Sequence, residues 1–207
     1  MRLLFASSNL NKTKEVRAIL SDLAIDVFFP LDLAKDNPLF SDLAQFEVVE
    51  TGGDYFENSL LKAKAFAKKT NLPSAADDTG IEVEALDNFP GVKSKRWLES
   101  SDEKRNLALL EKLKNKTNRS ARFVTVICLY FPRDNSHRFF KGEIKGEIAF
   151  KPEGSEGFGY DSIFIPQGYK QTLAQLGLVK KNELSHRKIA LEKLKQYLVK
   201  FLSEHED

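Results

Sequence analysis

A lone cysteine, Cys128, leaves this 207-residue chain no internal disulfide. It sits in the apolar run Phe123–Tyr130. There a small buried hydrophobe is the first reading and a reactive thiol the alternative. No hydrophobic run approaches membrane-spanning length, which excludes a helical membrane protein. The opening Leu3-Leu4-Phe5-Ala6 is too short for the core of a signal peptide, so the cytoplasm is the expected compartment. An excess of one charge is also missing. Basic and acidic side chains number 32 and 30, for a net charge of +2, which gives no electrostatic footprint for bulk nucleic-acid binding. There is no internal repeat, no low-complexity tract and no Walker glycine pattern. Nor does the order of residues support a serine–histidine–acid triad or a cysteine–histidine pair.

What is present is an ordinary globular composition, 42% hydrophobic and 30% charged, in a chain long enough to bury a core. Leu3–Ala6 reads as a short buried strand, followed by the polar turn Ser7–Asn11. A helix is expected from about Lys12, with Val16, Ile19, Leu20 and Leu23 inward. After a strand near Val27–Phe29 comes a connection rich in proline and aspartate. Asp54 and Glu57 look like a capping box for a helix reaching about Lys69, with Phe56, Leu60, Ala63 and Ala67 as its buried stripe. Asn58 and Lys62 share another face of it, one turn apart.

Ser74–Ala76 reads as a short strand and Ile81–Ala85 as an alternating one. Ser100 and Glu103 would cap a helix carrying Leu107, Leu110 and Leu113. Strands near Phe123–Phe131 and Phe139–Phe150 would form a hairpin around Pro132–Asn135. A closing helix from about Ser185 would face Ile189, Leu194, Leu198 and Leu202 inward. Helices interspersed with partly hairpin-linked strands predict an α/β protein with a mixed sheet.

Four places carry chemistry. The turn Ser7-Ser8-Asn9-Leu10-Asn11-Lys12 opens a helix, where unpaired N–H groups and a positive dipole end suit phosphate; it also reads as a plain cap. Asp77 and Asp78, with Glu50 earlier, could hold magnesium and activate water. Side-chain alternation lets only one of the two aspartates face a given site, and Asp77-Asp78-Thr79-Gly80 is also good turn chemistry. In Gly157-Phe158-Gly159-Tyr160-Asp161, glycines flank an aromatic ring that offers a stacking face, or else make a structural loop. Lys181 with Ser185-His186-Arg187 places cations where a helix dipole disfavours them, which suggests an anionic or carbonyl-bearing ligand. A helix starting earlier, at Asn182, would make them ordinary surface residues.

The order of these blocks is more specific than any one of them. Ser7-x-Asn9-x-x-Lys12, Glu50-Thr51-Gly52, Phe56–Ala63, Ala76–Ile81, Pro90-Gly91-Val92, Gly157–Asp161 and Ser185-His186-Arg187 together resemble the inosine/xanthosine triphosphate pyrophosphatase family, the Ham1-like house-cleaning enzymes. The resemblance runs from Leu3 to about Leu194. It implies an elongated mixed β-sheet flanked by helices, as a single domain over residues 1–207 with two lobes and a central cleft. It also implies a homodimer that requires Mg2+ and hydrolyses non-standard purine nucleoside triphosphates to monophosphate and pyrophosphate.

By that resemblance Ser7, Ser8, Asn9, Leu10, Asn11 and Lys12 bind the triphosphate. Glu50 and Asp78 hold the metal, and Asp78 is also the proton acceptor for water. Thr79 contacts substrate, Phe158 stacks on the purine, and Gly159, Tyr160 and Asp161 shape that wall. Lys181 meets phosphate, and His186 and Arg187 read the base. Several residues depart from the family pattern. Ser8 replaces a glycine, Thr79 a serine and Lys95 a small residue. Ser162 replaces a proline, which is expected to loosen its loop. The stretch from Pro30 to Val49 is longer than usual. The competing readings are a Maf-like pyrophosphatase and a nucleotide- or RNA-binding module; the latter gives Glu50 and Asp78 no task.

Overall fold

The structure, a computed structural model, describes residues 1–204. Seven strands hydrogen-bond in the order β2-β1-β3-β5-β6-β7, with β4 added to β3. They are β1 Arg2–Phe5, β2 Asp26–Phe28, β3 Ser74–Val83, β4 Phe89–Pro90, β5 Ser120–Tyr130, β6 His137–Ile148 and β7 Phe164–Pro166. Six α-helices are interspersed: α1 Leu10–Leu20, α2 Pro30–Asp36, α3 Tyr55–Thr70, α4 Asp102–Lys112, α5 Leu173–Leu184 and α6 His186–Ser203. β1 pairs in parallel with β2 and β3, whereas β3 with β4 and β6 with β7 are antiparallel. The sheet is therefore mixed, as expected. Among the described residues no helix is long and apolar enough to cross a membrane.

The chain divides into two compact units, each with its own core. The first comprises Met1–Asp78, Val126–Lys141 and the chain from Ile189; the second comprises Thr79–Thr125 and Gly142–Lys188. In the first unit, Leu3, Phe5, Val16, Leu20, Ile127 and Leu129 pack with Ala190, Leu191, Leu194 and Leu198. Another cluster there joins Leu4, Leu33, Leu43, Ala63, Phe66, Ala76 and Cys128. In the second unit Ile81, Val83, Leu109, Leu113, Phe123, Ile163 and Phe164 form the centre.

Several elements differ from the sequence expectations. The connection after β2 is helical. Pro30 starts α2 at the position where its missing N–H costs nothing, Asp32 Oδ2 accepts from Phe29 N at 3.0 Å, and a 3₁₀ helix follows over Pro38–Gln45. Asp77–Gly80 is no turn but the middle of β3, which runs unbroken through ten residues. α3 buries Ala63 and Ala67 as expected, but Phe56 is 39% exposed, while Asn58 and Ser59 are fully buried. Its cap works as expected at Asp54, which accepts from Glu57 N, but the Glu57 carboxylate takes Gly53 N–H in place of the cap residue's own. Ser101, one residue beyond the expected cap, starts α4, which buries Asn106 and Leu109 and leaves Leu107 exposed. α6 turns Ala190, Leu191, Leu194 and Leu198 inward and leaves Ile189 37% exposed.

Candidate active site

The predicted site residues fall into two assemblies, one in each unit. The first is built where β1 hands over to α1. Ser7 N donates to Phe5 O at 2.9 Å, and Asn9 caps the helix, its Oδ1 accepting from Asn11 N at 2.9 Å and Lys12 N at 3.3 Å. The cap reading is thus right for Asn9, and two of the helix-start donors are already spent on it. Ser8, Asn9, Leu10 and Asn11 are exposed. Lys12 is no solvated lysine: its Nζ lies 2.7 Å from Asp77 Oδ2.

β3 passes through this unit's core, and its alternation separates the two aspartates as expected. Asp77 meets Lys12, and Asp78 meets α3. Asp78 Oδ2 accepts from Asn58 Nδ2 at 3.2 Å, and Asp78 Oδ1 lies 3.5 Å from Lys62 Nζ. The same ammonium is 2.6 Å from Glu50 Oε1. One lysine therefore joins the two carboxylates proposed as metal ligands. Burial pushes the Asp78 carboxyl above its ordinary range; Lys62 and the Asn58 hydrogen bond oppose the rise, and the charges of Glu50 and Asp77 add to it. For Lys62, burial alone would lower the pKa, but Asp78, Asp77 and Glu50 together hold it raised, so it stays an ammonium.

Lys62 and Asn58 are residues that sequence reasoning left out of the site. Their signal is the helix face they share, one turn apart, on which Asn58 is fully buried.

The second assembly surrounds Phe158. Asp161 Oδ2 accepts from Phe158 N at 2.8 Å and lies 2.6 Å from Lys181 Nζ, which stands 4.0 Å from the centre of the Phe158 ring. Burial pushes the Asp161 carboxyl up, against Lys181, which holds it down. Lys181 belongs to the last turn of α5 and is buried, so it is neither a first-turn cation nor a surface residue.

Helix α4 fixes the loop from its other side. Asp102 Oδ2 accepts from Gly159 N at 2.7 Å, and Asn106 Nδ2 donates to Gly159 O at 2.9 Å and to Ser162 Oγ at 3.0 Å. Ser162 is tied into the loop by this bond, its hydroxyl supplying an acceptor that a proline would lack. Tyr160 is tied as well, accepting from Trp97 Nε1 at 2.8 Å and donating to Ser94 O at 2.6 Å. His186 stacks on Phe123 with ring centres 4.7 Å apart. Ser185 Oγ accepts from Arg187 N at 3.2 Å at the start of α6, and Arg187 is buried. Thr79 Oγ1 lies 2.8 Å from Thr125 Oγ1. A groove lined by Glu82, Arg122, Lys145, Glu147 and Tyr169 holds none of these predicted residues.

Whether a metal suits the first assembly can be tested on its donors. Among the described residues no three His, Cys, Asp or Glu side chains gather into a ready-made cage. Glu50 and Asp78 are hard oxygen donors. A small hard cation that takes one or two carboxylates and completes its shell from phosphate and water fits such a pair. The charges agree, because Glu50, Asp77 and Asp78 outnumber Lys12 and Lys62, and a polyphosphate would add further negative charge.

An α/β chain with a mixed sheet, a buried lysine–carboxylate cluster and an aromatic loop defines the class. A sequence model of the Ham1 family matches residues 3–197, and the chain belongs to that family. It is 38% identical over 205 residues to a protein of Aquifex aeolicus named dITP/XTP pyrophosphatase, covering 94% of this chain and 95% of that one. An Acholeplasma laidlawii protein of the same name is 42% identical over 191 residues, covering 92% and 90%. The solved structure of a HAM1 protein from Coxiella burnetii superposes with a TM-score of 0.87 at 35% identity, covering 97% of this chain and 99% of that one.

Proposed function

We propose that this enzyme hydrolyses the non-standard purine nucleoside triphosphates of inosine, deoxyinosine and xanthosine to monophosphate and pyrophosphate, with Asp78 as proton acceptor. The observation that carries the assignment of Asp78 is its setting. It is a buried carboxylate on a central strand, held at both oxygens by α3, with its proton affinity raised by burial. Such a group can take a proton from water near neutral pH better than an exposed aspartate can. The name shared by the relatives supports the substrate class.

Phosphoryl transfer needs positioning and charge neutralisation more than covalent help. Lys12 and Lys62 supply positive charge at the triphosphate, with Ser7–Asn11 around it. Magnesium, when held by Glu50 and Asp78, would neutralise phosphate oxygens there. Phe158 offers its ring to the purine, in a loop that Asp102, Asn106 and Asp161 keep in place. Arg187 and His186 read the base. A donor aimed at the purine six position meets the carbonyl of inosine or xanthosine but opposes the amino group of adenosine, and such a mismatch can discriminate by up to ~10⁴-fold. Guanine, which keeps the carbonyl, is refused by conflict at its two-amino group. The same reading carries a homodimer working in the cytoplasm, supported by the family resemblance.

The test is a panel of nucleoside triphosphates with magnesium, reading whether pyrophosphate or orthophosphate is released, on the wild type, Asp78→Asn and Arg187→Ala. Inosine, deoxyinosine and xanthosine triphosphates should be hydrolysed fast, guanosine triphosphate slowly and adenosine triphosphate slowest. Asp78→Asn should lose at least ~10²-fold in turnover, and Arg187→Ala should narrow the gap between inosine and adenosine triphosphates. Equal wild-type rates on those two substrates would refute base reading, and a folded Asp78→Asn with normal turnover would refute the proton acceptor.

A further inference from the structure

We propose that Asn58 is a positioning residue whose buried carboxamide holds Asp78 in its working orientation and locks it to the turn that follows Glu50. The inference rests on the reading of Asp78 as proton acceptor. An asparagine early in a helix body is not a good helix former, and burying an amide without partners is costly. Asn58 is fully buried, and each end of its amide has a partner from a different segment. Oδ1 accepts from Gly52 N at 2.8 Å, and Nδ2 donates to Asp78 Oδ2 at 3.2 Å. Gly52 N–H can only donate, so it fixes which end of the amide is oxygen and leaves the NH2 group facing Asp78.

Three features show that the local structure is shaped around this amide. A Cβ on Gly52 would stand 2.7 Å from Asn58 Oδ1 and 2.7 Å from Glu57 Cβ, so only glycine lets the turn approach α3 this closely. The neighbouring Gly53 N–H is held by Glu57 Oε2 at 2.7 Å, which pins the turn to the helix a second time. Glu50 is gripped one helical turn further on by Lys62, which also faces the other oxygen of Asp78. Asn58 and Lys62 thus divide the Asp78 carboxylate, a neutral donor on one oxygen and a cation beside the other. A neutral donor fixes the direction of the carboxylate while suppressing its basicity less than a second ammonium would.

The experiment compares Asn58→Ala, Asn58→Asp and Asp78→Asn with the wild type, measuring kcat and KM for inosine triphosphate at saturating magnesium. Melting temperature, with and without magnesium, is measured on the same samples. Asn58→Ala should lower kcat by about 10- to 100-fold, in the range of supporting hydrogen bonds at catalytic groups, with KM within about threefold of wild type. Asn58→Asp is isosteric and keeps an acceptor for Gly52 N–H but sets a carboxylate against Asp78, so it should lose at least as much. It also decides the matter if the alanine variant does not fold. A merely structural asparagine predicts lowered melting temperatures with wild-type kcat in the folded protein. That result for Asn58→Asp, beside an inactive Asp78→Asn, would overturn the inference and leave the proposed function standing. An active Asp78→Asn would instead remove the proton acceptor itself and the inference with it.

Discussion

Lys12 reaches from the first turn of α1 to Asp77, with Nζ 2.7 Å from a carboxylate whose side chain is only 2% exposed. A lysine that served phosphate alone would be dispensable for folding. Here its removal takes a cation away from a buried carboxylate, a loss of about 3 kcal/mol when a buried pair is broken from one side. Lys12→Met should therefore lower both the melting temperature and the turnover of the folded fraction. A melting temperature equal to wild type would show that Asp77 needs no help from Lys12.

Lys62 opposes the rise in proton affinity that burial imposes on Asp78. The sign follows directly: a neighbouring cation favours the ionised carboxylate, so removing it moves the carboxyl further up. For Lys62→Met, measured at fixed free magnesium, the acid limb of the kcat profile should shift to higher pH. Turnover at neutral pH should fall at least ~10-fold, because less Asp78 is ionised and a phosphate-neutralising charge is gone. An acid limb left in place would mean that Asp78 does not set it.

The loop around Phe158 gives a graded pair of variants. Ser162→Ala removes one acceptor from Asn106, a loss of about 1 kcal/mol for a single hydrogen bond. Asn106→Ala removes that bond and the one to Gly159 O, so it should destabilise further and raise KM for inosine triphosphate. Calorimetry and steady-state kinetics on the two variants check the order. If Ser162→Ala were the more damaging, Asn106 would not be the clamp.

Cys128 is fully buried in β5, and burial pushes its thiol up to about 12. At pH 8 only about one thiol in ten thousand would then be ionised. Ellman's reagent should leave the native protein unlabelled at pH 8 and react at once after denaturation. Rapid labelling of the native protein would restore the reactive-thiol reading.

Elements governed by local pattern were legible in the sequence. The β1–turn–α1 unit, the Asp54 cap of α3 and the pair β5 and β6 announce themselves through caps, periodicity and turn residues. Helix α5 did not, because Gly177 at φ +80° interrupts it and breaks the apolar period. α2 hid behind a proline that reads as a breaker but sits at a helix start. The polar run Asp77–Gly80 imitates a turn, and only its pairing in the sheet makes it strand. The site divides the same way. Ser7–Lys12 and Gly157–Asp161 are contiguous and could be seen as units. Lys62 and Asn58 have meaning only once Glu50 and Asp78, distant in sequence, fold against them. Phe56 has the hydrophobicity of a buried residue yet is exposed, because α3 turns the polar Asn58 and Ser59 inward instead.

β3 carries Asp77 and Asp78 on consecutive positions, so each carboxylate owes its partner to the parity of its place in the strand. Deleting one residue between Ser74 and Ala76 would bring Asp78 to the place beside Lys12 and Thr79, which has no carboxylate, to the place facing Lys62; inserting one would bring Asp77 to face Lys62 and leave an uncharged residue beside Lys12. Either change leaves one of the two places without its carboxylate. This stretch is therefore closed to insertion and deletion in a way that the helical 30–45 segment, tied to no such parity, is not. Length changes among descendants of this gene should collect in the latter and be absent from the former.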